Sequence, residues 1–381
     1  MLTALLMGAV GCAGNAAASS TMRYLRTTRA TLAVLSVQKR ILRGARNLDV
    51  CASAVDDETG SEADLCSVWP RGVRYRARVM YDGAEFIGMQ QQPSGKSVAC
   101  AIETTLSRRV GCRVAVSPAG RTDTGVHARG QAIHFDLPLA PESSDSSRPA
   151  RRLPTGEELQ RSLNAMLPPA LRLSEVELAP ESDERGRRWH ARRWATGKLY
   201  SYRLHAGHVF DPLERRQRYH VGHRPLDTAA MVEAAEHMQG GAIDCACFAN
   251  RRAGEPLPIE HDVALTTRTV RSIDVVDEGD GRTRIDFHLQ SALYKMVRNM
   301  VGLLVEVGQG RRTAADVAVL ISSRDRSRLP PPAPAHGLTL ESVFYAEGWE
   351  GKHSHPLHPV GSETRESSSF NNAGYSDGVS F

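Results

Sequence analysis

A chain of 381 residues with 41% hydrophobic content can bury one large or two medium cores, and no apolar run approaches the ~18 residues of a membrane-spanning helix. Its seven cysteines form no CxxC pair and have no His/Cys set at zinc spacing, so they read as free thiols, with neither a disulfide framework nor a metal site. The net charge of +5 is laid out unevenly: residues 1–48 hold seven bases and no acid, and residues 49–69 hold six acids and no base. An acid-free leader bearing arginine and serine has the composition of a transit peptide, which points to a mitochondrion or plastid. The apolar start Met1–Val10 also suggests a secretory h-region, though it lacks a basic n-region, and an untargeted extension, or a start at Met22, is the plainer alternative.

The ordered part opens with Val73, Tyr75, Ala77, Val79 and Tyr81 alternating with Arg74, Arg76 and Arg78, a period-two strand with one buried face. Asp82-Gly83 closes it as a turn. Val98, Ile102, Leu106 and Val110 recur at helical spacing, and short strands follow over 113–116 and 131–137. Residues 139–155 are rich in Ser, Pro and Arg and read as a surface insertion. A helix over Gly156–Met166 and a strand over Leu171–Leu178 complete a first α+β half. The second half repeats the theme: strand 198–204, helix 227–238, strands 269–276 and 283–289, helices 293–307 and 313–321, and a closing strand Leu338–Tyr345. The resulting organisation is an extension over 1–70, halves over 71–178 and 179–349, and a disordered tail over 350–381. His353, His355 and His358 in that tail are a weak metal hint.

Three features carry chemistry. The segment 119–127 reads Ala-Gly-Arg-Thr-Asp-Thr-Gly-Val-His and sets Arg121 and Asp123 between two glycines. Gly120 and Gly125 suit positive φ or close approach, so the run is a tight loop that can present one carboxylate rigidly. Asp123 can equally be an Asx-type turn cap, and the loop alone leaves both readings open. Between Arg185 and Arg203 lie seven bases and no acid, including Arg192, Arg193 and Lys198, a density that suits a phosphate backbone; a solvated helix face is the alternative. In 293–307, Leu293, Met296, Val297, Met300, Val301, Leu304 and Val305 form an apolar stripe with Arg298 on its border. A border arginine either aims at a cleft or snorkels into water, and the pattern alone favours snorkelling.

Taken together the chain resembles the TruA family of tRNA pseudouridine synthases from about Val73 to Ala346. The matching motifs are Tyr81-Asp82-Gly83 with Phe86, Gly88 and Gln90; Gly120-Arg121-Thr122-Asp123 with Gly125-Val126-His127; His190-Ala191-Arg192; Lys198-Leu199-Tyr200-Ser201-Tyr202; and Met296-Val297-Arg298-Asn299 with Gly302. The resemblance implies two ferredoxin-like halves sharing a central antiparallel sheet, an α+β fold with the active-site cleft between them. It places the catalytic aspartate on Asp123, the tyrosine that contacts the target base on Tyr200, and the arginine that pairs with the aspartate on Arg298. Such an arginine would hold the carboxylate in one orientation, and a tyrosine offers an aromatic face to an unstacked uracil.

The implied reaction detaches uracil from ribose C1′, turns it and rejoins it through C5, with no net redox change and no cofactor. Attack of Asp123 on C1′, attack on C6, and removal of a sugar proton toward a glycal all remain compatible with one carboxylate. The implied partner is tRNA, at uridines on the 3′ side of the anticodon stem-loop (tRNA positions 38–40), clasped by a homodimer. Arg121, His127, Arg192, Arg193 and Lys198 are the candidate RNA contacts, with Arg121 beside the nucleophile placed to hold a flipped backbone. Other uridine targets in tRNA, rRNA or mRNA, or an idle RNA-binding protein on the same fold, are the competing readings. Met89 stands where the family usually has tryptophan and Thr124 where alanine or lysine is common, which bears on packing near Gln90. The 139–155 and 251–261 loops bear on the choice of uridine.

Overall fold

The computed structural model describes residues 72–92, 95–138, 152–183, 185–250 and 263–349. The basic leader and acidic spacer, most of the 139–155 insertion, the 251–261 loop and the tail with its histidines lie outside the described residues. In chain order the strands are β1 (Val73–Tyr81), β2 (Val116–Pro118), β3 (His127–Leu137), β4 (Leu171–Leu178), β5 (Ala195–His205), β6 (Tyr219–His220), β7 (Gly241–Asp244), β8 (Thr267–Gly279), β9 (Arg282–Leu289) and β10 (Leu338–Tyr345). The helices are α1 (Val98–Val110), α2 (Gly156–Met166), α3 (Thr228–Glu236), the single turn α4 (Val263–Thr266), α5 (Met296–Gly308) and α6 (Ala314–Ser323).

All ten strands belong to one sheet in the order β4-β1-β3-β10-β5-β9-β8-β7, with β2 on β3 and β6 on β5. Pairing is antiparallel except for β10 on β3 and β6 on β5. Strands from the first part of the chain make one end and strands 195–289 make the other, and the closing strand β10 lies between them. On the first side α1 packs against α2, and α2 against β4; on the other, α3 packs against α5, α6 and β8. This is the two-halved α+β architecture with a shared, largely antiparallel sheet.

Local chemistry sets most of these boundaries. Thr155 accepts from Glu158 N–H while Glu158 accepts from Thr155 N–H, a capping box that starts α2 and leaves Leu159 and Leu163 on its buried face. Ser97 caps α1, and Gly111 at φ +78° ends it. A Cβ on Gly156 would collide with the Val176 carbonyl, so the first turn of α2 can approach β4 only through glycine. The strand expected over 131–137 begins earlier, at His127, directly after the glycine-rich loop. The strand expected over 113–116 sits at Val116–Pro118 instead, and β6 and β7 were not foreseen.

The single buried face expected for β1 is corrected by the structure, which buries both. Arg76 and Arg78 are 9% and 1% exposed. Arg74 bonds Asp136 at 2.8 Å, and Arg76 pairs with Glu177 at 2.7 Å and Glu347 at 3.0 Å. Arg78 donates to the Val343 carbonyl at 2.9 Å and to the Trp349 carbonyl, and its guanidinium lies 4.1 Å from the Trp349 ring centroid. Trp189, Tyr345 and Trp349 thus return over the arginine face and desolvate it, with the Trp189 indole N–H donating to Glu347 at 2.8 Å. Because Trp189 is fully buried at the centre of this cover, Trp189→Ala should cost about 3–5 kcal/mol in urea-induced unfolding.

Candidate active site

The loop between β2 and β3 is clamped along its length. Ala119 N–H donates to Ala132 O at 2.8 Å, and Met89 N–H donates to Thr122 O at 3.1 Å. Gln131 Nε2 donates to Gly120 O at 2.8 Å, and the Tyr81 and Thr122 hydroxyls share a buried hydrogen bond of 2.7 Å. Burial pushes the Tyr81 phenol up to about 12, with its bonds to Thr122 and Gln131 acting the other way. Of the loop's two glycines, Gly125 is the one its backbone requires. Gly125 has φ +83°, while a Cβ on Gly120 would collide with the Lys198 ammonium. Gly88, at φ +105°, backs onto the loop where a Cβ would lie 2.8 Å from Thr122 O.

What this clamped loop presents is the carboxylate of Asp123, a quarter exposed, whose Oδ2 accepts from Arg298 Nη1 at 3.1 Å. The arginine is itself fixed. It sits in the first turn of α5, its Nε donates to Ala333 O at 2.7 Å, and its backbone carbonyl accepts from Ala333 N–H at 3.0 Å. One turn on, a Cβ at Gly302 would lie 2.8 Å from Pro331 O, so the 330–334 segment lies flat on the helix. The Arg298 side chain is 13% exposed, so snorkelling into water does not describe it.

Tyr200 lies on β5, paired with Leu340 of β10 and Phe287 of β9. It is buried, and burial, followed by the charges of Tyr81 and Asp123, pushes its phenol well above the usual range and keeps it protonated. The structure therefore gathers Asp123, Arg298 and Tyr200 from three distant segments around one loop.

The expected RNA contacts divide. Arg121, Arg192 and Arg193 are exposed. Arg192 and Arg193 stand on a turn whose backbone N–H groups donate to His190 Nδ1 at 3.1 and 3.3 Å, while Ala191 O accepts from the Tyr345 hydroxyl at 2.6 Å. His127 faces inward, accepting from Gly83 N–H at Nδ1 (3.1 Å) and donating through Nε2 to Arg216 O (2.6 Å). It staples the start of β3. Lys198 is also buried and donates to Ala119 O at 3.1 Å. The basic run as a whole is less bare than its sequence: Arg187 pairs with Asp183, Arg188 with Asp136 and Arg203 with Glu341. Met89 is fully buried, so it fills core space.

Sequence reasoning missed Ala333, Gln131 and His336. A backbone carbonyl such as that of Ala333 carries no residue-type signal, and the proline-rich 330–334 run reads only as a loop. Half-buried His336 lies near Arg298 and His127, and burial is the main force lowering its imidazole pKa. Among the described residues no group of three or more His, Cys, Asp or Glu could hold a metal ion.

Known proteins point the same way. A family model described as tRNA pseudouridine synthase matches residues 257–346, the stretch holding Arg298 and β10. The chain is 38% identical over 278 residues to the tRNA pseudouridine synthase A of Myxococcus xanthus, covering 72% of this chain and 93% of that one. The chain belongs to the TruA family. Further TruA relatives are those of Latilactobacillus sakei (35% over 274 residues, 71% of this chain and 98% of the relative) and Solidesulfovibrio magneticus (38% over 302 residues, 76% and 99%). TruA enzymes are isomerases that convert uridine to pseudouridine.

Gly88→Ala tests the clamp on the loop. The added Cβ meets both a left-handed backbone and the Thr122 carbonyl, so stability should fall by about 1–2 kcal/mol. Because Thr122 directly precedes Asp123, the chemical step should slow with it, read as the rate constant in a single-turnover assay.

Proposed function

We propose that the protein isomerises uridine to pseudouridine in tRNA, with Asp123 as nucleophile, Arg298 as the group that orients it and Tyr200 as the platform for the target base. The observation that carries this reading is the 3.1 Å contact between Asp123 and Arg298 beside a buried tyrosine. A guanidinium fixed at its Nε by Ala333 O can offer Nη1 to the carboxylate in only a narrow range of directions, which supports pre-positioning for attack.

During the reaction the C1′–N1 bond breaks and a C1′–C5 bond forms. The proton on C5 is lost and N1 gains one, so substrate and product are isomers. Tyr200, held protonated, can donate a hydrogen bond to the base and offer it an aromatic face. A uridine within a stem must first leave the stack, at a cost of a few kcal/mol that contacts with the surrounding RNA offset. The exposed Arg192 and Arg193, on a turn braced by His190 and Tyr345, suit those contacts.

The substrate proposed is the 3′ side of the tRNA anticodon stem-loop, by resemblance to bacterial TruA enzymes. A homodimer clasping one tRNA arm is proposed on the same ground. Leader composition supports a mitochondrial or plastid location.

Asp123→Asn should keep tRNA affinity within a few-fold and lower pseudouridine formation by a factor on the order of 10³ or more. Product formation by that variant at near-normal rate would remove Asp123 as nucleophile, and a wild-type protein that binds tRNA without product would be the idle binder. Arg298→Ala should lower turnover by about 10²-fold; a rate close to wild type would return that arginine to a structural role.

A further inference from the structure

Lys198 sits two residues before Tyr200 on β5, so the two side chains share a face of the sheet. Its ammonium lies directly over Gly120, and no more than about 10 Å of backbone separates Gly120 from Asp123. Of its three N–H donors one is used, by Ala119 O at 3.1 Å, and among the described residues it makes no ion pair. The side chain is nonetheless about nine-tenths buried. Arg192 stands on the His190 turn, whose Ala191 N–H donates to His134 Nδ1 at 3.2 Å; His134 pairs with Ser117, two residues before the Ala119 that Lys198 holds. Burial, with Arg192 adding to it, pulls the Lys198 ammonium down to about 8. A buried ammonium with one carbonyl acceptor and no carboxylate partner is a costly arrangement that an anion would relieve.

We infer that Lys198 and Arg192 form a subsite for a single RNA backbone phosphate, the one flanking the target uridine, and that this contact registers the strand against the catalytic loop. The inference rests on the reading of the substrate as RNA but not on turnover. A phosphodiester bridging the two side chains would give the ammonium the acceptor it lacks and set opposite charge between two like charges. The subsite lies on the same face of the sheet as Tyr200, so binding there would fix the nucleotide beside the one presented to Asp123.

The test uses the full chain and an anticodon stem-loop RNA with single methylphosphonate substitutions around the target uridine, which remove one backbone charge at a time. Lys198→Gln keeps a donor for Ala119 O and removes the cation. Neutralising the flanking phosphate should weaken wild-type binding about tenfold and Lys198→Gln only about threefold, the part left to Arg192, the mark of a coupled pair. With Lys198→Gln and Arg192→Ala combined, the slope of log affinity against log salt should fall by about 0.7–0.9, one phosphate contact. Equal losses in the two proteins at every position, or an unchanged salt slope, would overturn the inference and leave Lys198 as a support for the loop. If Lys198→Gln fails to fold, Arg192→Ala at its exposed position gives the same cycle with the same two outcomes. Loss of product without loss of coupling would instead count against the proposed isomerisation, so the two readings fail separately.

Discussion

Glu341 stands at the centre of the sheet and holds it together electrostatically. It lies on β10, is 2% exposed, and accepts from Arg203 of β5 at 2.9 Å while Arg129 of β3 approaches to 3.6 Å. One buried carboxylate on the intervening strand thus reaches an arginine from each side. The contact matters because β10 meets β3 through only two residue pairs, Thr339 with His127 and Leu340 with Ala128. Leu340 also pairs with Tyr200. The loop bearing Asp123 ends where β3 begins, so this short parallel register decides how the carboxylate faces the tyrosine. A slip of one residue would turn Tyr200 to the other face.

The molecule also shows how an arginine-rich chain spends its charge. Bases that stand without acids in their own stretch of sequence find them across the fold, at Asp136, Glu341 and Glu347. Tryptophan rings cover Arg76 and Arg78, so guanidinium groups serve as internal braces between β1 and the segment after β10. What remains at the surface near the site is narrower than the sequence suggests, a few arginines on rigid turns.

Legibility followed range. The boundaries of α2 and β4 could be read because a capping box and the recurring apolar residues Leu171, Leu173, Val176 and Leu178 are local signals. β6 and β7, two and four residues long, could not, since such short strands exist only through the partners that pair with them. The arginine face of β1 looked solvated because Trp189 and Trp349 lie far along the chain. Asp123 was recognisable as a candidate from its own loop, whereas Arg298 was ambiguous until its partner, 175 residues away, came into contact. The inward turn of His127 and Lys198 was invisible for the same reason, as each is held by a backbone carbonyl.

The place of β10 has a consequence for the order of events in synthesis. The strand that separates and joins the two sets of strands is translated after all the other strands of the described residues, so a nascent chain can fold β1, β3 and β4 early yet cannot bring Asp123 beside Tyr200 until residue 345 has left the ribosome. Until then the β3 and β5 edges are open to other chains. The last strand to be made is therefore both the catalyst's final assembly step and the cover that ends its exposure to aggregation.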